Sequence, residues 1–503
     1  MSLRRKRATG LPLRFPLGAT MSPVKYRPLA IGIILIGLGC STESDGPPNI
    51  VLIISDDHGW PDYGFMGHPT IQTPNLDRLA TESMVYTRGY VPAPVCRPSL
   101  ATLATGLYPH QHKITGNDPP GEWPAVAKDL EARASMERVF ARNENVIELL
   151  ARSGYASHQS GKWWEGNPLD HGFSEALTHG DVTRGGRHGD QGLTIGREGM
   201  SPIFDFMRST APRREPWKQW FVEPSARPFF IWYAPFLPHT PHDPPERLLA
   251  KYRVPNRPGR IARYHAMVEW LDETIGQLLD YLDGKGSAQP ASGFSGPSEI
   301  ERLRNTVVLY VADNGWITSE DEADQPTARA KMSPYEMGVR TPIMIRWPGK
   351  VEPGRDERTL VSSIDLAPTM LHAAGIEPPP NLPGISLLDR EELRLRKQVF
   401  GATFAHTAVN VLDPVANLKY RTIVREDGWK LVLPYTLNKD VMHMIRGAIS
   451  DWMRLDPELY NVLDDPHETK DLAAERPDLV EELRGTLQNW WLVPNELPDS
   501  SSN

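Results

Sequence analysis

Cysteine is nearly absent: the 503 residues contain two, Cys40 and Cys96, so a disulfide framework is excluded. Cys40 falls at the edge of an N-terminal apolar run, which leaves Cys96 alone in the body of the chain, where it either carries chemistry or is a packed thiol. An excess of positive charge is also lacking, since 55 Lys and Arg stand against 63 Asp and Glu for a net charge of -8. That balance gives no general attraction to nucleic acid or anionic lipid, so an anionic substrate must be held by a local basic pocket. Apolar runs of about 20 residues, the length that spans a bilayer, do not occur. Nor is there an internal repeat or a long low-complexity tract.

A hydrophobic share of 40% with 23% charged residues is ordinary for a soluble globular protein. The length exceeds what one core usually supports, so two domains are expected. With 48 prolines, long ordered surface loops are expected, notably over 177–199 and 436–455. Lys25 and Arg27 precede the apolar run Leu29 to Gly39, the pattern of an export signal. Cys40 after Leu38-Gly39 resembles a bacterial lipoprotein cleavage site, so residues 1–40 are read as a signal peptide of lipoprotein type and 41–48 as a linker. The protein is then expected in the periplasm or at the cell surface, either held by a lipid on Cys40 as its membrane contact or released by plain cleavage of the signal.

Asn49 to Ser55 (NIVLIIS), Phe229 to Ala234 (FFIWYA) and Thr306 to Ala312 (TVVLYVA) read as strands buried on both faces. Tyr155 to Gln159 is a weaker fourth, leading to Lys162. Between them, Tyr264, Val268, Leu271, Ile275, Leu278 and Leu282 recur at helical spacing, and Asn145 to Arg152 forms a shorter helical segment. The alternation predicts an α/β sandwich, a large mostly parallel sheet between helices, with its site beyond the carboxyl ends of the strands. That rule gathers Asp56, Asp57, Asp313, Asn314, His239 and Lys162 at one crevice. After the proline-rich stretch 378–383 the pattern changes. Trp429 to Leu433, Glu458 to Leu463 and Pro477 to Trp491 predict a small antiparallel sheet with a covering helix, which divides the chain into a catalytic domain over 49–391 and a C-terminal subdomain over 392–503.

Asp56-Asp57 and Asp313-Asn314 offer several hard oxygen ligands after two similar buried strands, which suits Ca2+ or Mg2+ and not Zn2+. A third element runs from Val95-Cys96-Arg97-Pro98-Ser99 to Thr105-Gly106. Pro98 near its start and Gly106 at its end predict a short helix with Cys96 at the N-terminus, where free amides favour a nucleophile and an anion.

In these motifs the chain resembles the type I, formylglycine-dependent sulfatases of the alkaline-phosphatase-like superfamily. The resemblance extends over nearly the whole chain after the signal. In the family's order stand Asn49-Ile50-Val51 through Asp56-Asp57, Cys96-x-Pro98-Ser99, Gly161-Lys162-Trp163, Pro238-His239-x-Pro241-His242, Asp313-Asn314-Gly315, and Lys331 through Arg340-x-Pro342. Glu458-Leu459-Tyr460-Asn461 with Asp465-Pro466 is similar to its C-terminal signature.

The resemblance implies a sulfuric ester hydrolase in which a formylglycine-generating enzyme has oxidised Cys96. It further implies Ca2+ held by Asp56, Asp57, residue 96, Asp313 and Asn314, with Asp313 also able to accept the nucleophile's proton. Lys162 and Lys331 would clamp the sulfate oxygens, and His239 would protonate the leaving alcohol. The expected partner is a sulfated small molecule or glycan, with no nucleic acid. Trp163, Trp164 and Trp316 lie beside these motifs, where a ring either stacks on a sugar or packs in the core.

The chain departs from the family at Leu100, where arginine is usual, and at Trp164, where histidine is common. The loop from His179 to Asp190 is expected to supply a replacement, at Arg187 or His188. Two other readings are a phosphodiesterase or phosphonate monoester hydrolase of the same superfamily, and a non-catalytic relative that binds sulfated glycans through an unmodified thiol.

Overall fold

The computed structural model describes residues 46–494 except 123–124, 126–128, 187, 212–225, 256, 286–296, 319–328 and 436–455. The segment 1–40 read as a signal, Arg187 and the predicted loop 436–455 lie outside the described residues. The thirteen strands among them are β1 (Asn49–Ser55), β2 (Met84–Tyr90), β3 (Ala156–Gly161), β4 (Glu175–Ala176), β5 (Phe229–Ala234), β6 (Thr306–Ala312), β7 (Arg340–Arg346), β8 (Gly354–Asp356), β9 (Val361–Ser362), β10 (Gln398–Phe404), β11 (Leu418–Arg425), β12 (Trp429–Pro434) and β13 (Glu458–Asn461).

Nine strands form one sheet in the order β4-β3-β5-β1-β6-β7-β2-β8, with β9 also on β2. It is parallel except at β7, which runs antiparallel to β6 and β2. Its centre is dry because β1 is apolar at every position from Ile50 to Ile54. Ile50, Leu52 and Ile54 face a core shared with helices Cys96–Thr105, Val146–Arg152 and Leu366–Ala373. Val51 and Ile53 face the opposite core, built largely on helix Gly259–Leu282. Each such buried side chain contributes about 1.5–3 kcal/mol, so helices cover both faces and the chemistry is confined to the sheet's ends.

The second sheet, β10-β11-β12-β13, is antiparallel and is covered on one face by helix Pro477–Trp490. The predicted fold class is therefore the observed one. Strand β3 runs two residues beyond the segment read from the sequence. Strands β2 and β7 went unread, because Arg88 and Gly89 interrupt the first and Pro342 sits inside the second. The loop 177–199 holds two short 3-10 turns, Val182–Arg184 and Asp190–Thr194.

Register carries the chemistry to one edge. Ser55 pairs with Ala312 and Gly161 with Ala234, so β3, β5, β1 and β6 end together. The ladder continues past the strands: Asp313 N donates to Ser55 O (2.9 Å), Lys162 N to Ala234 O (2.7 Å) and His58 N to Asn314 O (3.2 Å). Asp57 takes a left-handed backbone (φ 57°), a conformation Asp tolerates better than most side chains.

Candidate active site

Cys96 is the first residue of helix Cys96–Thr105, entered from extended Val95 and closed by Gly106 at φ 72°. A Cβ at Gly106 would lie 2.8 Å from the Ala367 Cβ, so this turn requires glycine twice over, for its backbone and for its space. Beside Cys96, Arg97 is fully buried and forms a bidentate pair with Glu165, Nε to Oε1 at 2.8 Å and Nη2 to Oε2 at 2.6 Å. That pair fixes the start of the helix against the segment carrying Lys162 and Trp164.

Cys96 is not at the margin of the core, as its place at a helix end suggests. It is 1% exposed and packs in the main apolar cluster, because every residue of its helix is buried. Burial pushes its thiol up to about 12, against the opposing pull of Lys162 and Lys331. An unmodified Cys96 is therefore a neutral thiol at pH 7 and a poor nucleophile.

The residues assigned to the metal and to catalysis meet at one crevice. One ligand atom each from Asp56, Asp57, Cys96 and His239 lie within 4.8 Å of one another. Lys162 Nζ donates to Asp56 Oδ1 (2.6 Å) and stands 3.6 Å from Asp313 Oδ2. Lys331 Nζ donates to Asp57 Oδ1 (2.5 Å), which also accepts from Asn314 Nδ2 (2.7 Å), while Asp57 N donates to Asp313 Oδ1 (3.2 Å).

His239 Nδ1 faces the Thr240 carbonyl oxygen at 2.6 Å; a carbonyl only accepts, so Nδ1 carries the proton of the neutral ring. Its Nε2 faces Asp57 Oδ2 and Lys331 Nζ, each at 3.4 Å. Burial holds the His239 imidazole well below its usual range, with Lys162 and Lys331 adding to the shift and Asp57 opposing it. Burial likewise raises the Asp56 carboxyl despite Lys162, whereas at Asp57 the burial penalty is outweighed by Lys331, His239 and Lys162 and the carboxyl is lowered.

These residues fit a hard divalent cation. Asp56 Oδ2, Asp57 Oδ2, Asp313 Oδ2 and Asn314 Oδ1 are buried and receive no hydrogen bond among the described residues. Buried carboxylate and carboxamide oxygens without donors are costly unless a cation satisfies them, and an oxygen set of this kind suits Ca2+ or Mg2+.

The crevice opens into a cavity of about 830 Å³, lined by Cys96, Lys162, His239 and Lys331 and also by Asn117, Trp164, His188, Phe236, Met332, His406 and Thr407. Among these, Asn117, Phe236, His406 and Thr407 went unread in the sequence, because they sit in connecting segments without period or motif. Phe236 lies two residues beyond β5, and its ring stacks on His239 at 4.3 Å; a strand-end aromatic next to a site histidine is the one signal that could have found it. Trp163 and Trp316 are core residues, at 2% and 3% exposure. Trp164 is also buried yet reaches the cavity, with its ring 5.2 Å from that of His188.

The Sulfatase family model matches residues 48–292, and the model described as N-sulphoglucosamine sulphohydrolase, C-terminal, matches 330–490. Human arylsulfatase A is 30% identical over 384 residues, which cover 69% of this chain and 68% of that protein. The chain belongs to the sulfatase family. An N-acetylgalactosamine-6-O-sulfatase of Bacteroides thetaiotaomicron is 24% identical and is matched nearly end to end, over 92% of this chain and 98% of its own length. The fold of this sulfatase is shared with BT4656, whose structure contains its substrate D-glucosamine-2-N,6-O-disulfate; the TM-score is 0.59 at 20% identity, covering 88% of this chain and 97% of that one. The superfamily and the sulfuric ester hydrolase activity expected from the motifs are thus the ones the relatives show.

Proposed function

We propose that this sulfatase hydrolyses a carbohydrate sulfate ester, with Cys96 in its formylglycine form and a bound Ca2+, and that an amino-sugar 6-sulfate is the substrate to test first. The observation that carries this reading is the meeting of three carboxylates, a carboxamide, two ammonium groups and the lone buried cysteine in one crevice. The sugar class is supported by the N-acetylgalactosamine-6-O-sulfatase relative and by the disulfated glucosamine in BT4656. When present, the formylglycine hydrate supplies two geminal hydroxyls, one to attack sulfur and one to let sulfate leave, and Ca2+ supplies charge beside the sulfate oxygens.

The side chains of this protein do the rest. Asp56, Asp57, Asp313 and Asn314 hold the ion. Lys162 and Lys331, whose ammonium groups are buried against these carboxylates, hold the sulfate oxygens. With Nδ1 fixed on the Thr240 carbonyl, His239 exchanges its proton at Nε2. Burial disfavours the imidazolium that this role requires, so negative charge beside Nε2, from Asp57 at 3.4 Å and from the bound sulfate ester, is what would hold the proton there for a departing sugar alkoxide. His239→Ala is accordingly expected to slow a sugar sulfate by roughly 10³-fold and a nitrophenyl sulfate by less than about 10-fold. Equal losses on both substrates would remove His239 from the acid role.

Charge favours sulfate over phosphate monoesters. Three carboxylates, two ammonium groups and a divalent cation leave one positive charge, which a sulfate ester monoanion neutralises and a phosphate monoester dianion exceeds. Comparison of kcat/KM for 4-nitrophenyl sulfate, 4-nitrophenyl phosphate and a phenylphosphonate monoester tests the reading against the phosphorus-ester alternative. The sulfate is expected to be faster by at least ~10²-fold; a faster phosphate or phosphonate would overturn it. The neutral Cys96 thiol gives the glycan-binding alternative no nucleophile, and any catalytic release of sulfate excludes that alternative.

The proposal includes export, with Cys40 as the lipid-bearing residue, on the strength of the Leu29 to Gly39 run alone. Among the described residues no helix is long and apolar enough to cross a membrane. Mass analysis of the N-terminal peptide from cells tests this, and a mature chain starting elsewhere without lipid would contradict it.

A further inference from the structure

One wall of the cavity is not built by the catalytic sheet. Beyond β10, the segment from Ala405 to Ala408 runs beside Gly116 to Asp118. Asn117 N donates to His406 O (2.8 Å), Ala408 N donates to Asp118 O (2.8 Å), and Asp118 and Thr407 form a parallel bridge. The approach is close enough that a Cβ on Gly116 would lie 2.8 Å from His406 O and 3.0 Å from Ala405 O. This pairing sets His406 and Thr407 on the same cavity as Cys96, Lys162 and Lys331.

One amide fixes the His406 ring. Asn117 Oδ1 accepts from Arg97 N (2.9 Å), which turns Asn117 Nδ2 toward His406 Nε2 at 3.1 Å. An amide NH2 only donates, so Nε2 accepts and the proton of the neutral ring sits on Nδ1, 4.0 Å from Asp118 Oδ2. The imidazole is thus two hydrogen bonds from the residue that follows Cys96, and 37% of its side chain is exposed. At about 830 Å³ the cavity is of the size that holds a whole small molecule, far more than a sulfate group.

We propose that His406 and Thr407 are specificity-determining residues that meet the hydroxyl or amide groups of the sugar bearing the sulfate. The catalytic sheet then selects the sulfate, and the segment after β10 selects the alcohol. This rests on the reading of the substrate as a carbohydrate sulfate. A site built to hydrogen-bond a polar substrate discriminates strongly, because its own polar groups lose their partners when the wrong alcohol binds.

The test compares kcat/KM for N-acetylgalactosamine 6-sulfate and for 4-nitrophenyl sulfate in the wild type and in H406A, H406Q and T407V. The ratio of sugar ester to aryl ester is expected to fall at least ~10-fold in H406A, mainly through KM on the sugar, and about 3-fold in T407V, with partial recovery in H406Q. An unchanged ratio in H406A and T407V, or an equal loss on both esters, overturns the inference. A wild type that cleaves the aryl ester and no sugar sulfate also overturns it while leaving the sulfatase reading intact. A wild type that cleaves neither ester overturns both.

Discussion

Replacing Cys96 with alanine is expected to lower turnover of every sulfate ester by roughly 10⁴-fold or more, about 5.5 kcal/mol in the barrier. The size follows from the geometry: residue 96 supplies the attacking atom at a helix start, beside two ammonium groups and the carboxylate cluster. The same change should cost only about 1 kcal/mol of stability, since only one or two heavy atoms are lost from a close-packed site, so thermal midpoints separate lost chemistry from lost fold. Cys96→Ser sharpens the result. Its single hydroxyl can attack sulfur and release the alcohol, but the serine sulfate that forms has no second hydroxyl on the same carbon to expel sulfate. One equivalent of alcohol per enzyme followed by arrest is expected; sustained turnover in the serine variant would contradict the role assigned to residue 96.

Removing divalent cations is expected to lower kcat by ~10³-fold or more, the several kcal/mol that a Lewis acid contributes at developing charge. Among the described residues, four buried oxygens that receive no hydrogen bond stand at the crevice, and three of them are carboxylate oxygens beside two ammonium groups. Ca2+, and less fully Mg2+, should restore activity, and Zn2+ should not, because the four buried oxygens suit a hard cation and, with residue 96 oxidised, the cluster keeps no sulfur donor and only His239 as a nitrogen donor among the described residues. Binding is also readable without turnover: Ca2+ at about 100 times its Kd should stabilise the stripped protein by about 2.7 kcal/mol, seen as a higher Tm. Stripped protein with unchanged turnover, and no Tm response to Ca2+, would contradict the assignment.

How much of this was legible in the sequence depended on which force shaped each residue. Strands β1, β5 and β6 are dry on both faces and so had to be continuous apolar runs, which exposed their ends and with them Asp56, Asp57, Asp313 and His239. The helix after Cys96 was readable from Pro98 and Gly106, because the turn at its end admits little but glycine. Strands β2 and β7 were not readable: they are held by neighbours in the sheet and not by local preference, so Gly89 and Pro342 masked them. Nor was the depth of Cys96, since what packs on a helix start is set by distant segments, and this one is packed on all sides. Of the two residues expected to replace the arginine and histidine contacts missing at Leu100 and Trp164, Arg187 lies outside the described residues, and His188 lines the cavity, between the rings of Trp164 and Phe236. Asn117, His406 and Thr407 were invisible for a different reason. They reach the cavity through backbone pairing between segments almost 300 positions apart, with Asn117 and His406 separated by 289, and nothing local in either segment marks the encounter.

Peptide mass spectrometry across residue 96, read beside turnover of the same preparation, tests the central claim most directly. Protein made with a formylglycine-generating enzyme should carry CHO in place of CH2SH at position 96, and the oxidised fraction should track kcat across preparations. Full turnover by protein whose Cys96 is wholly an unmodified thiol would contradict it.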